Sequence, residues 1–474
     1  MEQISAFFHR LSLDFFAFFD QGADWVARRV AALIGAIMFA VAPTMPAYLA
    51  NQFGPGLAVL PWYAATGVIR PRTNDKVDAF NEKVDGFMRG VTHVDSEPDS
   101  AVWKASNFNW ATLSDLPMPV LADGNENPEY IAYIARCRVW KEAGTSIKVV
   151  TPYPIAYSRI GIDPRTEEGV ERVREIARKI IRDLRDCVGA IQISNELSVP
   201  RFNTVLEADG SEVSLTAEQA AVFLGEQGKA MAEEGKGNVI VGWNNVAPGF
   251  DIHMAMKPWF QYFDYVGLDM YLGMWFPTGN WPFLFELMLD MLWSYVQLPI
   301  VFCEIGYTSF GTPKTQAEKD AHIALLTGGA YTSEADAKAN IADFITRLPQ
   351  VMQDTIRRDA AGNEEYFVFD PKSDFYNHLF KQMAEGHVIS GYPHSEKGQA
   401  DFYQDMIPRI VKNRPYLRGM LIHCWSDSNG TCYYCGQEDC PSEDGLGLVI
   451  LDNEGNASPK LGYYTAREAL RNVK

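Results

Sequence analysis

Short apolar runs alternate with amphipathic segments along most of the chain. The clearest run, residues 299–307, has four consecutive apolar residues before Glu304, which is typical of a strand buried on both faces. A second run, residues 189–196, ends in the same way on Asn195 and Glu196. A carboxylate is costly to hold charged at the end of a buried strand unless the site uses it. These two glutamates are therefore the first candidates for chemistry.

The remaining pattern predicts strands separated by helices. Further strand-like runs occur at residues 56–63, 118–122, 147–153, 238–245, 263–271 and 419–425. The clearest helix begins near residue 163 and has one apolar face: Val170, Val173, Ile176, Ile180 and Leu184. Strands that alternate with helices predict an α/β fold with parallel strands, and polar or aromatic residues just after the strands favour a (β/α)8 TIM barrel.

The same pattern divides the chain into two parts. Residues 1–55 form an apolar N-terminal extension, and residues 56–474 form the barrel. Residues 310–395 interrupt the barrel between the seventh and eighth strands, which is too long for a plain loop. We expect this insertion to act as a lid or a substrate wall.

The N-terminal extension contains a candidate membrane segment. Arg28 and Arg29 precede residues 30–42, a compact apolar run within a stretch that carries no charge up to Ile69. Arginines before such a run resemble an export signal or signal anchor. The predicted result is an exported or membrane-anchored protein with the barrel outside the cytoplasm. A helix buried under the barrel is the alternative.

Composition excludes some partners. The chain has 474 residues, of which 47% are hydrophobic, so it is long enough for a large core. Its net charge of −18 argues against a nucleic-acid partner, because there is no basic field to release counterions. Neither a Gly-x-Gly-x-x-Gly turn nor a Walker loop occurs, so we expect no nucleotide cofactor.

Four of the seven cysteines fall late in the chain, at Cys424, Cys432, Cys435 and Cys440. They are compatible with a zinc knuckle, with a disulfide-stapled loop or with free thiols. Because the spacing matches no standard four-ligand pattern, we predict that the protein holds no metal. Cys303, within a strand, is expected to pack in the barrel wall.

The two glutamates indicate glycoside cleavage. Function sits at the carboxyl ends of barrel strands, so Glu196 and Glu304 can face each other across the mouth. Cleavage needs one carboxyl group to protonate the leaving oxygen and another to attack or to activate water. Either glutamate alone also fits a structural ion pair. Three further residues at strand ends, Asn195, Tyr271 and Trp425, favour catalysis.

At this point the residues resemble a known group. Asn195-Glu196 after a fourth strand and Glu304 after a seventh are similar to the clan A glycoside hydrolases, retaining (β/α)8 enzymes. Residues 264–271 and 302–309 are most similar to family 113 β-mannanases. Residues 191–196 are similar to family 53 galactanases, the second-best resemblance. The likeness covers about residues 145–310 and 396–474.

The resemblance implies a role for each of these residues. Glu196 is the acid/base, Glu304 is the nucleophile, and Asn195 is the partner of the sugar 2-hydroxyl. Tyr271 hydrogen-bonds the nucleophile, and Trp425 forms the floor of the −1 subsite. No metal or other cofactor is implied.

Aromatic residues after the strands are candidate sugar-stacking positions. Trp62, Trp243 and Trp275 are the main candidates, with Asn244 as a polar contact, although each tryptophan fits a core position equally well. The sequence thus predicts a retaining glycoside hydrolase acting on an oligo- or polysaccharide with β-linkages, mannan-like or galactan-like. The alternative is a catalytically inactive barrel that binds glycan or a protein partner. A zinc-dependent protein built on the late cysteines is a third possibility.

Overall fold

The computed structural model describes residues 72–94, 96–199, 202–246, 250–272, 282–309, 395–427, 445–452 and 454–473, and from 316 to 392 only residues 316–317, 320, 323–324, 327–347, 389 and 391–392. The predicted N-terminal extension, the strand at 56–63, Trp62, Trp275 and the three cysteines Cys432, Cys435 and Cys440 lie outside these residues. Most of the predicted insertion 310–395 also lies outside them.

Eight parallel strands close into a barrel, so the predicted (β/α)8 fold is confirmed. The strands are β1 (Met88–Val91), β2 (Trp110–Thr112), β3 (Ser146–Val150), β4 (Ala190–Ile193), β5 (Ile240–Val246), β6 (Tyr265–Met270), β7 (Ile300–Ile305) and β8 (Leu417–Ile422). Each strand pairs with the next in the chain, and β8 pairs with β1. Two antiparallel hairpins, Thr204–Leu206 with Glu212–Ser214 and Val449–Leu451 with Ala457–Pro459, stand apart from the barrel.

Twelve helices of the described part accompany the strands. They are α1 (Asp75–Lys83), α2 (Ala101–Ser106), α3 (Pro128–Glu142), α4 (Pro154–Arg159), α5 (Glu167–Leu184), α6 (Ala217–Glu234), α7 (Phe250–Ala255), α8 (Pro282–Val296), α9 (Glu334–Ala339), α10 (Ile341–Arg347), α11 (Glu396–Val411) and α12 (Leu461–Arg471). Among these helices, none combines the length and hydropathy that crossing a bilayer requires.

Side chains from α1 extend into the barrel interior. Phe80 and Val84, at the end of α1, are buried in one cluster with inward-facing strand residues that include Tyr265 and Val301. Lys83 of the same helix is 3.1 Å from the carboxylate of Asp264, just before β6. Helix α1 therefore packs against the amino-terminal end of the barrel, which leaves the carboxyl end for the site.

Two glycines make room in the barrel interior. A Cβ atom on Gly267 of β6 would lie 2.6 Å from Cβ of Asn244 and 2.6 Å from Sγ of Cys303. A Cβ atom on Gly242 of β5 would lie 2.5 Å from the ring of Tyr265. Larger residues at these positions would push apart the strands that carry the site.

The first two strands are a correction to the sequence prediction. The barrel begins with β1 at Met88 and β2 at Trp110, whereas residues 118–122 were predicted as the second strand. Within that segment only Val120 forms an isolated bridge, to Glu126. Strands β1 and β2 have four and three residues, too few for the alternation pattern to stand out. The six later strands lie where the sequence predicted them.

Candidate active site

Glu304 reaches the cleft because β7 is irregular. Successive residues of a regular strand point to opposite faces, so Cys303 and Glu304 could not both face the barrel interior. The pairing of β6 with β7 shifts here, with Leu268 opposite Phe302 but Asp269 opposite Glu304. Bulges of this kind re-aim side chains next to active sites. Cys303 is fully buried within the barrel, as predicted, and Glu304 turns toward its open end.

Glu196 stands on a tight turn after β4. Ser194 and Glu196 both adopt left-handed backbone conformations, with φ of 56° and 46°. Two hydrogen bonds hold this turn: the Ser194 N–H donates to Oγ1 of Thr151 at 3.0 Å, and the Glu196 N–H donates to Oδ1 of Asn244 at 3.0 Å. A left-handed conformation is costly for residues other than glycine, so the neighbouring strands stabilise this position of Glu196.

Three carboxyl groups meet at the mouth of the barrel. Glu196, Glu304 and Asp269 each present a carboxylate oxygen within 4.8 Å of the others. Asp269 lies at 0% exposure beneath the pair and accepts a hydrogen bond from Nδ2 of Asn244. Burial, together with the nearby carboxylates of Glu304 and Glu196, raises the pKa of Asp269 well above its ordinary value. This shift favours the protonated, neutral form of Asp269.

Glu304 has a lowered pKa, unlike Asp269. Burial acts to raise its pKa, but attraction to His423 and His93, a hydrogen bond from Tyr271 and the charge of Lys148 outweigh burial and lower the pKa. The Tyr271 hydroxyl donates to Oε2 of Glu304. Because the pKa of His423 is itself lowered to about 4 by burial, that imidazole is neutral at neutral pH. The tyrosine hydrogen bond and the lysine charge do not depend on the protonation of His423.

Two histidines flank Glu304. Nδ1 of His423, directly after β8, lies 3.4 Å from Oε2 of Glu304 and 3.0 Å from Oγ1 of Thr92. His93, after β1, packs edge-on against His423 with ring centroids 5.1 Å apart and is exposed to the cleft. The contact with Thr92 gives Nδ1 of His423 a hydrogen-bonding partner.

A polar pair that the sequence did not single out lies on the other side of the cleft. Asp115 follows β2 and Tyr153 follows β3, and the two share a hydrogen bond. Tyr153 stacks on Phe202 with ring centroids 5.5 Å apart. Burial raises the pKa of Asp115, and so does the nearby carboxylate of Glu304. The electrostatic effect of His93 opposes this rise but does not cancel it. Asp115 follows a strand that the sequence did not reveal, so no pattern marked it.

Buried amides connect the strands beneath the pair. Oδ1 of Asn195 accepts hydrogen bonds from Nε2 of Gln192 and from Nδ2 of Asn244, both at 2.7 Å. Oε1 of Gln192 in turn accepts a hydrogen bond from Nζ of Lys148 at 2.5 Å. Of the predicted polar contacts, Asn195, Asn244 and Tyr271 thus gather around the two glutamates.

Two predicted tryptophans do not line the cleft. Trp425 is 0% exposed; its Nε1 donates to Oγ of Ser96 at 2.7 Å, and its ring packs against Trp103. It cannot form the floor of a subsite from there, and His423 occupies the strand-end position instead. Trp243 is also 0% exposed, stacked on Phe260. It lies between two inward-facing residues of β5, so strand alternation directs it outward, against the prediction of sugar stacking.

The site also contains groups that could hold a metal ion. His93, His423 and Glu304 offer ligand atoms within 4.8 Å of one another, as do Glu196, Asp269 and Glu304. Imidazole and carboxylate ligands suit zinc or ferrous iron. Both sets include Glu304, however, so a metal ion in either one would occupy the carboxylate that the pair needs.

The sequence matches no family model and no curated protein. Among solved structures, the chain is similar to an Ignisphaera aggregans GH53 catalytic domain, with 15% identity, a TM-score of 0.45, and 84% of this chain and 97% of that chain covered. An endo-1,4-β-xylanase from Caldicellulosiruptor owensensis has 12% identity, a TM-score of 0.46, and 82% and 98% covered. A β-glucuronidase from Bifidobacterium dentium has 13% identity, a TM-score of 0.43, and 82% and 47% covered.

At these identities and TM-scores the likenesses assign neither a family nor an activity to this chain. The resemblance to clan A glycoside hydrolases rests on the sequence motifs rather than on these likenesses. The closer resemblance to family 113 stays a prediction.

Proposed function

We propose that the protein is a retaining glycoside hydrolase that cleaves a β-linked glycan by double displacement. The observation that supports this most directly is the carboxylate pair, because oxygens of Glu196 and Glu304 lie within 4.8 Å of each other. Retaining enzymes hold their two carboxyl groups about 5–5.5 Å apart, and inverting enzymes about 6.5–9.5 Å, to admit a water molecule. The spacing here favours the retaining type.

Glu304 is the nucleophile in this proposal. Its lowered pKa keeps the carboxylate ionised, as attack on an anomeric carbon requires. The Tyr271 hydroxyl fixes one carboxylate oxygen, Oε2, so that the other is available for attack. A covalent glycosyl-enzyme forms, and water then attacks the same carbon to release a product with the original configuration.

Glu196 is the acid and then the base. It protonates the glycosidic oxygen as the bond to the leaving sugar breaks, and it removes a proton from the water that attacks the glycosyl-enzyme. Its position on the strained turn after β4 is anchored by the N–H that donates to Asn244. The raised pKa of Asp269 beneath the pair disfavours a third negative charge in the site.

The substrate side of the proposal rests on Asn195 and on the polar pair Asp115 and Tyr153. Asn195 meets the hydroxyl next to the anomeric carbon, and the polar pair contacts other sugar hydroxyls. Mannan-like and galactan-like glycans are the proposed substrates. For the whole protein, we also propose export or membrane anchoring through residues 1–55, with the barrel outside the cytoplasm.

The test measures reducing-sugar release from mannan, galactan, β-glucan and xylan by the wild-type protein, Glu304→Gln and Glu196→Gln. We expect release from one polymer that both variants lose. Glu207→Gln is the matched control, since Glu207 is 2.6 Å from Arg165 in an ion pair outside the site. No release from any polymer by the folded wild type would instead support the inactive barrel that binds glycan or a protein partner.

Chemical rescue assigns the two roles. With an activated aryl β-glycoside, azide should restore turnover of Glu304→Gly and yield a glycosyl azide of inverted configuration, because azide takes the place of the missing nucleophile. Azide with Glu196→Gly should yield an azide of retained configuration, because Glu304 still forms the intermediate. Exchange of these two outcomes would reverse the roles.

A further inference from the structure

A lysine lies inside the barrel beneath the catalytic pair. Lys148 of β3 is 1% exposed, and its register partner on β4, Ala190, belongs to the interior cluster. The reaction as described above uses the charge of this side chain, which helps to lower the pKa of Glu304, but gives its hydrogen bond to Gln192 no task. A buried ammonium group is costly unless it is hydrogen-bonded or near negative charge, so its presence in the interior requires an explanation.

Lys148 fixes the direction of the neighbouring amide. An ammonium group can only donate hydrogen bonds, so the atom of Gln192 that faces it at 2.5 Å must be the carbonyl oxygen Oε1. Nε2 of Gln192 is thereby directed upward, where it donates to the carbonyl oxygen of Ser194 at 2.9 Å and to Oδ1 of Asn195 at 2.7 Å.

A second donor fixes the orientation of the Asn244 amide, on the other side of Asn195. The backbone N–H of Glu196 donates to Oδ1 of Asn244, so Nδ2 of Asn244 must face Asn195 and Asp269. Oδ1 of Asn195 therefore accepts from two amide groups at once. The group that Asn195 can present to the cleft is its Nδ2, a donor.

We propose that Lys148 is a positioning residue that, through Gln192, holds Asn195 with its Nδ2 group toward the substrate. This inference rests on the proposed function. The sugar hydroxyl next to the anomeric carbon has one proton, and the nearby carboxylate of Glu304 is the stronger acceptor for it. The hydroxyl oxygen then needs a donor, and the directed amide of Asn195 supplies one. Hydrogen bonds to this hydroxyl strengthen in the transition state.

Loss of the lysine charge should weaken the preferred orientation of the Gln192 amide. With Lys148→Met, the amide of Gln192 can turn by half a rotation, because its terminal torsion has two nearly equivalent states. Its carbonyl oxygen then faces Asn195, whose Oδ1 loses the hydrogen bond from Gln192 and keeps the one from Asn244. The Nδ2 group of Asn195 is then held less firmly toward the substrate, so its transition-state contact with the 2-hydroxyl should be weaker.

The test compares kcat/KM for two substrates of each variant: the 4-nitrophenyl β-glycoside of the sugar released from the polymer panel, and its 2-deoxy analogue. The wild type should prefer the 2-hydroxy substrate strongly. Lys148→Met should reduce that preference by about three- to tenfold, the value of one hydrogen bond. An unchanged preference in an active variant would overturn the inference and leave the proposed function intact.

Two further variants separate positioning from general damage. Gln192→Glu pairs with Lys148 and keeps the shape of the side chain, but its oxygens cannot donate to Asn195, so it should lose the same preference. Lys460→Met is the matched control: Lys460 is 3% exposed, and its Nζ lies 2.7 Å from Asp427, outside the catalytic pair. Its loss should lower Tm without changing the preference for the 2-hydroxy substrate.

A double-mutant cycle decides the inference even without turnover. The decreases in Tm caused by Lys148→Met and Asn195→Ala should not add in the double variant, because both changes act on one hydrogen-bonded network. Additive decreases would show that the two side chains are independent and would overturn the inference. A wild type that cleaves no glycoside would overturn the proposed function, while the cycle would still report on Lys148.

Discussion

The hydroxyl of Tyr271 donates a hydrogen bond to Oε2 of Glu304, and Nδ1 of His423 lies 3.4 Å from the same oxygen. The two neighbours differ in what they contribute at neutral pH. The phenol is a fixed donor, since burial and Glu304 raise its pKa well above the ordinary value. The imidazole is neutral, with a pKa of about 4. Tyr271 is thus the direct hydrogen-bond donor that stabilises the carboxylate of Glu304.

Tyr271→Phe should therefore raise the pKa of Glu304, because a hydrogen bond to the charged form is lost. The acidic limb of the kcat/KM–pH profile should move to higher pH. A hydrogen bond to a charged group contributes about 1.5–3 kcal/mol, so kcat/KM at the optimum should fall roughly 10- to 150-fold. Initial rates from pH 4 to 8 measure both effects.

Tyr307→Phe is the control for that experiment. Tyr307 is also fully buried and follows β7, but its hydroxyl donates to the carbonyl oxygen of Tyr392 rather than to a carboxylate. This variant should lose stability without moving the acidic limb. An acidic limb that stays in place for Tyr271→Phe would mean that the group titrating there is not Glu304.

Buried histidines should make the fold sensitive to acid. Burial lowers the pKa of His253 to about 3, and Nε1 of Trp243 lies 3.2 Å from its Nδ1. Between the ordinary histidine pKa of about 6.5 and pH 4, His253 binds a proton in the unfolded chain but not in the folded chain. The free energy of unfolding should therefore fall as pH decreases through this window. Urea unfolding of His253→Gln should show a weaker decrease than the wild type, and equal slopes would contradict the prediction.

The titration of Asp269 should change the free energy of unfolding with pH in the opposite direction. Its pKa is raised, so the folded chain keeps a proton that the unfolded chain loses above about pH 3.8. This costs stability as pH rises toward neutrality. Asp269→Asn keeps the shape without that cost and should be at least about 1 kcal/mol more stable at pH 7, with the gain shrinking toward pH 4.

Urea unfolding of Asp269→Asn at pH 4, 5.5 and 7 measures this gain. Because the substitution keeps the shape and charge of a protonated Asp269, kcat/KM should stay within about tenfold of the wild type. A variant that is less stable at pH 7, with an acidic limb shifted to lower pH, would mean that Asp269 is ionised in the folded protein.

The sequence revealed the parts of the site whose residues follow long apolar runs. Glu196 and Glu304 end such runs, so the pattern alone placed both at the mouth. Asp115 follows a strand of three residues, too short to show alternation. Strand alternation in β5 could have separated Trp243 from Asn244 before the fold was known. Lys148 gave no signal, because its role depends on strand register, which a single sequence does not contain.

Removal of metal should leave the reaction unchanged. The proposed double displacement uses only carboxyl groups, so treatment with EDTA or 1,10-phenanthroline should not reduce kcat/KM. Added zinc should inhibit, because His93, His423 and Glu304 could bind it only by occupying the nucleophile. Activity that chelators abolish and that one metal restores would contradict the mechanism and favour a metal-dependent reaction on the same residues.

Arg414 should be the most important single charge for stability among the described residues outside the site. It is 8% exposed and lies 3.3 Å from Glu286 and 3.3 Å from Asp290, both on helix α8. Arg414→Met removes a buried positive charge from between the two carboxylates, although Glu286 keeps its ion pair with Arg409 and Asp290 keeps the hydrogen bond from the Tyr416 hydroxyl. Removing one member of a buried ion pair costs about 3–5 kcal/mol, which urea unfolding at pH 7 would measure.

Two comparison variants test whether the loss of stability in Arg414→Met comes from the lost buried charge. Arg347→Met breaks a 3.4 Å ion pair with Asp343 in which both side chains are more than half exposed, so its stability should not change within error. The triple variant Arg414→Met, Glu286→Leu, Asp290→Leu also removes the two buried carboxylates, so it should recover part of the loss, even though Arg409 then lacks its ion pair with Glu286. If the triple variant were less stable than Arg414→Met, the cost would come from lost packing around the arginine rather than from stranded carboxylates.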